Sequence, residues 1–320
     1  MRRRTAVALV GVLALGGVGI AGYALRDHVG PLLPTEECTA TVSGREVALS
    51  TEQAENAALI TAISVQRGMP ARAASIALAT AYQESKLYNL EQGDRDSVGL
   101  FQQRPSQGWG SRSEILNPVY ATNAFYDALQ KIDGYDSMRI TEAAQEVQRS
   151  GYPEAYADHE ADARVLASAL TGNSPHAFSC VVDDDVDAAS DKLNDAGLTR
   201  RAETVCRDVE AAFGDLALGG FEPGGVTTGH MKGSTHYEGR AIDIFVRPIS
   251  AANKKRGWAI AQYLVAQADR LSIQTVIFDD RLWKAGSRSE DGWTDYDPPD
   301  SPGDRRILEH RDHVHVDVFD

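Results

Sequence analysis

Positive charge is what this sequence most lacks. Lysine and arginine together number 32 against 46 acidic residues, a net charge of −14 over 320 residues. Phosphate backbones are gripped by clustered Lys and Arg. Beyond Arg2 to Arg4 and scattered pairs no such cluster exists, which excludes nucleic acid as a partner. Cysteine is scarce as well: Cys38, Cys180 and Cys206 allow one intrachain bridge at most. Strand-like alternation is missing between residues 50 and 172. Long apolar runs are missing too, with one exception at the start. Histidine is rare, eight in all, yet three of the eight fall at His310, His313 and His315.

What is present divides the chain. A hydrophobic content of 42% with 24% charged residues is ordinary for a globular protein, and this length has room for about two domains. The exceptional apolar run, TAVALVGVLALGGVGIAGYAL at residues 5 to 25, carries no charge. At about 1.5 Å per residue it is long enough for the roughly 30 Å hydrocarbon layer of a bilayer. Arg2 to Arg4 before it would keep the N-terminus in the cytoplasm. The expectation is one N-terminal transmembrane helix at 1–25, a single-pass plasma-membrane protein with its bulk extracytoplasmic, or a secreted one if the run is a cleaved signal peptide. A linker follows at 26–37. Outside the cytoplasm disulfides persist, so Cys38 and Cys180 are a candidate bridge across a first domain at 38–180. Cys206, in a helical pattern with Val205 and Val209, reads as a buried thiol.

Residues 50 to 172 carry helix punctuation. STEQ at 50–53 is a capping-box pattern. Pro70 and Pro118 suit first helical turns, and Gly134 and Gly172 suit helix ends. The first domain therefore reads as all-α. Its chemistry lies in AYQESKLYNLEQGDRDSVGLFQQ, residues 81 to 103. Glu84 ends an otherwise apolar helix, and a carboxyl in an apolar wall holds its proton more tightly, as a general acid at a glycosidic oxygen must. The plainer reading of Glu84 is a surface residue at a helix end.

Glu-Ser followed by GLFQ resembles the lytic transglycosylase and goose-type lysozyme families, over roughly residues 50 to 172. The resemblance implies a lysozyme-like fold that cleaves the MurNAc–GlcNAc bond of peptidoglycan. Glu84 would be the general acid, and Ser85, Gln102 and Gln103 would line the saccharide cleft. Tyr156, in AYADHE, would be a loose stand-in for a late family tyrosine. Phe101 replaces the family's methionine. A hydrolase would want a second carboxylate, for which Asp94 and Asp96 are candidates. A transglycosylase would not need one.

VVDDDVDAASD at 181–191 is an acidic linker, and beyond it, over 192–320, helical and strand patterns mix as in α+β folds. The end of the chain alternates strictly, with His313, His315 and Asp317 on one side and Val314, Val316 and Val318 on the other. This is a strand pattern. Two imidazoles on one face are either a plain polar strand edge or part of a metal or acid–base site. The stretch GSTHYEGRAIDIF offers His236 and Asp243. Two histidines, one aspartate and a water would make an open tetrahedral zinc site.

S-x-H-x-x-G-x-A-x-D followed late by H-x-x-H-x-H resembles the zinc D-Ala-D-Ala carboxypeptidases and murein endopeptidases. That resemblance implies His236, Asp243 and His315 as Zn2+ ligands, His313 as general base or transition-state stabiliser, and His310 in support at the substrate. The family's arginine before the first zinc histidine is missing. Glu222 stands in that region, with Lys232 and Arg240 as possible substitutes. Both resemblances name the same polymer. The expectation is a multidomain protein, an all-α lysozyme-like domain followed by an α+β zinc-peptidase-like domain, acting on peptidoglycan glycan strands and stem peptides. The alternative is a non-catalytic wall-binding or scaffold protein with degenerate enzyme domains.

Overall fold

A computed structural model describes residues 36–300 and 303–320. It begins with a hairpin. Strands β1 (Glu37–Val42) and β2 (Arg45–Leu49) pair antiparallel. Ser43 and Gly44 turn between them, with φ of 53° and 79°, and positive φ at both central residues gives a turn whose twist matches a hairpin. The far edge of β1 pairs with β3 (Phe178–Val181), giving the order β2-β1-β3. Cys38 and Cys180 lie directly opposite each other in that pairing and form a disulfide. It closes a sequence separation of 142 residues, which in the chain-entropy picture stabilises the fold by about 5 kcal/mol.

The expectation of an all-α first half is therefore corrected: this half is mixed helix and sheet. Its strands are four to six residues long, too short for alternation to stand out beside long helices. β3 pairs with β1 from the far end of the whole helical stretch.

The helices follow their caps. Helix α1 (Thr51–Gln66) starts at Ser50, whose hydroxyl accepts the Gln53 N–H while the Gln53 side chain accepts the Ser50 N–H. Helix α2 (Ala71–Ser85) follows Pro70. Ala73, Ala74, Ala77, Ala79 and Ala81 along it are wholly buried. Such small side chains let α2 sit close against α4 (Ile140–Gln148) and α5 (Glu160–Leu170). Between them runs α3 (Pro118–Leu129), capped by Asn117, which accepts the Val119 and Tyr120 N–H groups.

The second half is built on one six-stranded antiparallel sheet. Helix α6 (Arg200–Phe213) is capped by Thr199 and precedes β4 (Ala217–Gly219) and β5 (Ala241–Phe245). After α7 (Ala251–Ala266) come β6 (Ile273–Phe278), β7 (Arg281–Lys284), β8 (Thr294–Asp295) and β9 (His313–Val318), in the spatial order β4-β5-β9-β6-β7-β8. The C-terminal strand is thus central and buried on both faces. Val314, Val316 and Val318 are at most 1% exposed.

The two halves pack into one core. Helix α7 contacts α1 and α5 on one side and β6 and β9 on the other. Buried Gln262 on α7 stitches the seam: its amide NH₂ donates to the Ala169 carbonyl at 2.7 Å, and its oxygen accepts the Ala177 and Phe178 N–H groups at 2.9 Å. Trp283 and Trp293 donate their indole N–H groups to the Cys180 and Phe178 carbonyls. Gly172 is required at this contact, since a Cβ there would meet the Lys255 carbonyl at 2.0 Å.

The membrane expectation is corrected as well. No helix among the described residues is long and apolar enough to cross a bilayer, so none of them supports a single-pass plasma-membrane placement. The run at residues 5 to 25 lies outside the described residues.

Candidate metal centre

Two adjacent strands and the loop before them build the site. β5 and β9 pair so that Asp243 lies opposite His315. Alternation along each strand then sends both side chains to the face away from the valine core. His236 comes from a single 3₁₀ turn (Thr235–Glu238) that Gly239 ends at φ 66°. The result is a close triangle. His236 Nε2 is 3.1 Å from His315 Nδ1 and 3.3 Å from Asp243 Oδ1, and the His315 Nδ1 to Asp243 Oδ1 distance is 3.2 Å. Donors about 2.0–2.1 Å from a tetrahedral ion are separated by about 3.3 Å.

The hydrogen bonds behind these atoms decide their protonation. His236 Nδ1 lies 2.8 Å from the Gly220 carbonyl, which can only accept, so Nδ1 carries the hydrogen. His315 Nε2 faces the Asp317 carboxylate at 3.4 Å and donates to it. With both outer nitrogens protonated, the inner nitrogens of the two rings face a carboxylate oxygen, an arrangement that either a metal ion or a proton on His315 Nδ1 can satisfy. Outer partners of this kind fix the tautomer of metal-binding histidines.

Without a metal, the conflict falls to protons. Burial works against a charged His315, but the hydrogen bonds it donates to the Asp243 and Asp317 carboxylates push its pKa up to about 9. Burial alone would raise the Asp243 carboxyl, yet the hydrogen bonds to His236 and His315 hold it well below the usual carboxylate range.

Around the triangle is a cavity of about 350 Å³. His313 lies beside it with Nε2 3.7 Å from Asp243 Oδ1. Its Nδ1 donates to Asp312 at 2.8 Å, and Arg247 binds the other oxygen of that carboxylate at 2.6 Å. His310 also lines the cavity, its ring 4.6 Å from that of His313. Burial, with the His313 and His315 charges behind it, drops the His310 pKa to about 3, so the ring is neutral near pH 7. Among the described residues its buried Nδ1 has no hydrogen-bond partner.

His230 enters here too. His230, His236 and Asp243 offer ligand atoms within 4.8 Å of one another, a group that could hold a metal ion. Spacing gives little warning of His230. Its surroundings, GGVTTGHMKGS, show only a histidine between glycines. Asp312 and Arg247 were equally silent, although Asp312 directly precedes His313, whereas alternation placed Asp317 on the imidazole face without revealing its bond to His315.

Residues 194–306 match the family model described as VldE, C-terminal domain. The matched stretch takes in His230, His236 and Asp243 and ends before His310, His313 and His315. No curated protein matches the chain.

Of the cations considered near the site, Lys232 lines the cavity. Arg240 is engaged by Glu238 and the Val318 carbonyl. Glu222 is exposed and outside the cavity lining.

The other expected site is looser. Glu84 is half-buried at the end of α2 and accepts a hydrogen bond of 2.8 Å from Tyr156. Tyr156 is 1% exposed, and burial raises its phenol above the ordinary range. These two are brought together. Ser85 is buried, donating to the Ala81 and Leu100 carbonyls. Gln103 is buried against the Ala121 carbonyl. Gln102 bonds Ser97 and the Gly99 carbonyl with φ of 47°. Asp94 projects into solvent, whereas Asp96 is pinned by the Ser106 N–H and by Arg104, which lower its pKa.

Proposed function

We propose that this protein remodels peptidoglycan, with a zinc-dependent peptidase centre at His236, Asp243 and His315 directed at stem peptides. The observation that carries the reading is the convergence of two imidazole nitrogens and one carboxylate oxygen within 3.3 Å of one another in one cavity. A nitrogen and oxygen donor set of this mix suits zinc. When bound, zinc supplies Lewis-acid polarisation of a carbonyl and a nucleophile drawn from water near neutral pH.

The protein's own groups do the rest. His313 presents Nε2 to the cavity with its ring fixed through Asp312 and Arg247. It is placed to take a proton there and return it to a leaving amine. Lys232 supplies positive charge at the cavity wall, where a peptide carboxylate would be held. Glu84, with Tyr156 at hydrogen-bond distance, is proposed as the acid and base that opens the glycan strand in the same polymer. The Cys38–Cys180 disulfide is of a kind that persists in oxidising compartments.

Metal content and digestion products test this. Protein purified without chelator should contain about one zinc per chain. With purified sacculi, the wild type should release peptide fragments that His236→Ala does not, and anhydro-sugar ends that Glu84→Gln does not. Negligible release by all three would favour a wall-binding scaffold. Absence of zinc, with His236→Ala as stable as the wild type, would sink the metal reading.

A further inference from the structure

The triangle leaves a fourth position, and a side chain stands beside it. The His230 ring stacks on that of His236, with centroids 4.0 Å apart and planes at 24°. One of its nitrogens shares the 4.8 Å neighbourhood of the His236 and Asp243 donors.

Three observations separate His230 from the other donors. His236 and His315 each have an outer partner on the second nitrogen, whereas the His230 ring makes no hydrogen bond among the described residues. The other donors sit on or next to paired strands, whereas His230 sits in a loop with Gly224, Gly225, Gly229 and Gly233 all at positive φ. Its backbone is held by one side chain: the Tyr237 hydroxyl accepts the His230 N–H at 3.1 Å and donates to the His230 carbonyl.

We infer that His230 is a displaceable fourth protein ligand, closing the metal site at rest and yielding its place to an oxygen donor of the substrate. The inference rests on the metal reading above. Moving the ring from within 4.8 Å to the roughly 3.3 Å donor spacing of a tetrahedral site is a shift on the order of 1 Å, which a glycine-rich loop accommodates. Structural zinc sites are closed by four protein ligands and catalytic ones keep one place open. Here the same site would alternate between the two, with Tyr237 setting the resting position.

Cobalt(II) is the probe, because its visible absorption reports its ligands, and azide is the test for an open place. In full-length protein, His230→Ala should weaken cobalt binding by at least about tenfold, as measured against a competing chelator. It should also tighten the azide-induced spectral change by at least about tenfold. Tyr237→Phe, which keeps the ring and removes the tether, should shift both in the same direction by less. It carries the test if His230→Ala does not fold. Unchanged cobalt affinity and an unchanged azide titration in both variants would overturn the fourth-ligand assignment while leaving the three-ligand centre intact. Failure of wild type and variants alike to bind cobalt would overturn the metal reading itself.

Discussion

The two chemical ends of this molecule were reached from sequence by the same route, a motif with a spacing, and they are built differently. At the metal end two of the three converging donors are backed by a second group: His236 by the Gly220 carbonyl and His315 by Asp317. Even neighbouring His313 is backed by Asp312. At the Glu84 end, most polar side chains of the motif turn inward. Ser85 and Gln103 tie loops to carbonyls, and among the described residues only Tyr156 hydrogen-bonds the acid. The lesson is that a motif's polar residues divide between chemistry and scaffolding, and that outer partners tell which is which.

The largest expected effect breaks the comparison outright. His236→Ala should lower metal affinity by more than about 100-fold, since it removes a ligand and not merely an outer partner. Glu84→Gln should leave metal content untouched. Titration against a chelator reads both, and loss of metal from Glu84→Gln would mean the two ends are one site.

Next is Gly220, with φ of 78° and no room for a side chain: a Cβ would lie 2.4 Å from His236 Cε1. Gly220→Ala should cost about 1–3 kcal/mol in unfolding free energy and weaken metal binding by about 10–100-fold. Unaltered metal affinity would show that the Gly220 carbonyl does not orient the ring.

The seam between the regions has its own signature. Glu55 on α1 is half-buried beside Arg270 and Asp208. Burial raises its pKa to about 7, although Arg270 opposes the shift. The folded state therefore binds this proton more tightly than the unfolded one. Stability is highest below pH of about 4.5 for this group and falls as pH rises toward 7, by on the order of 1–3 kcal/mol. Glu55→Gln should flatten that slope in denaturant melts taken across pH, and an identical slope would remove Glu55 as its source.

The smallest effect sharpens the Glu84 end. Tyr156→Phe removes one hydrogen bond of 2.8 Å from a half-buried carboxylate, a loss of about 1 kcal/mol. Glycan cleavage should drop while peptide release and metal content stay constant. If glycan cleavage were unchanged, Tyr156 would be only packing.

The helix starts at Ser50, Pro70 and Pro118 were legible because a cap or an opening proline acts within three or four residues. So was the alternation of β9, with valines on one face and His313, His315 and Asp317 on the other. The β1–β2–β3 sheet was not, because its strands are short and β3 pairs with β1 across 142 residues. His230 was not, because nothing local distinguishes a ligand from a loop histidine.

By itself, then, the sequence determined where several helices start and which side of β9 carries imidazole and carboxylate, since these depend on neighbours along the chain. The tertiary structure alone decided that β9 is central, that His236 meets His315 across 79 residues, and that Asp243 lies within 3.3 Å of both rings. A site is a matter of ångströms between atoms brought from distant segments, and only strand register and a closed core set those distances.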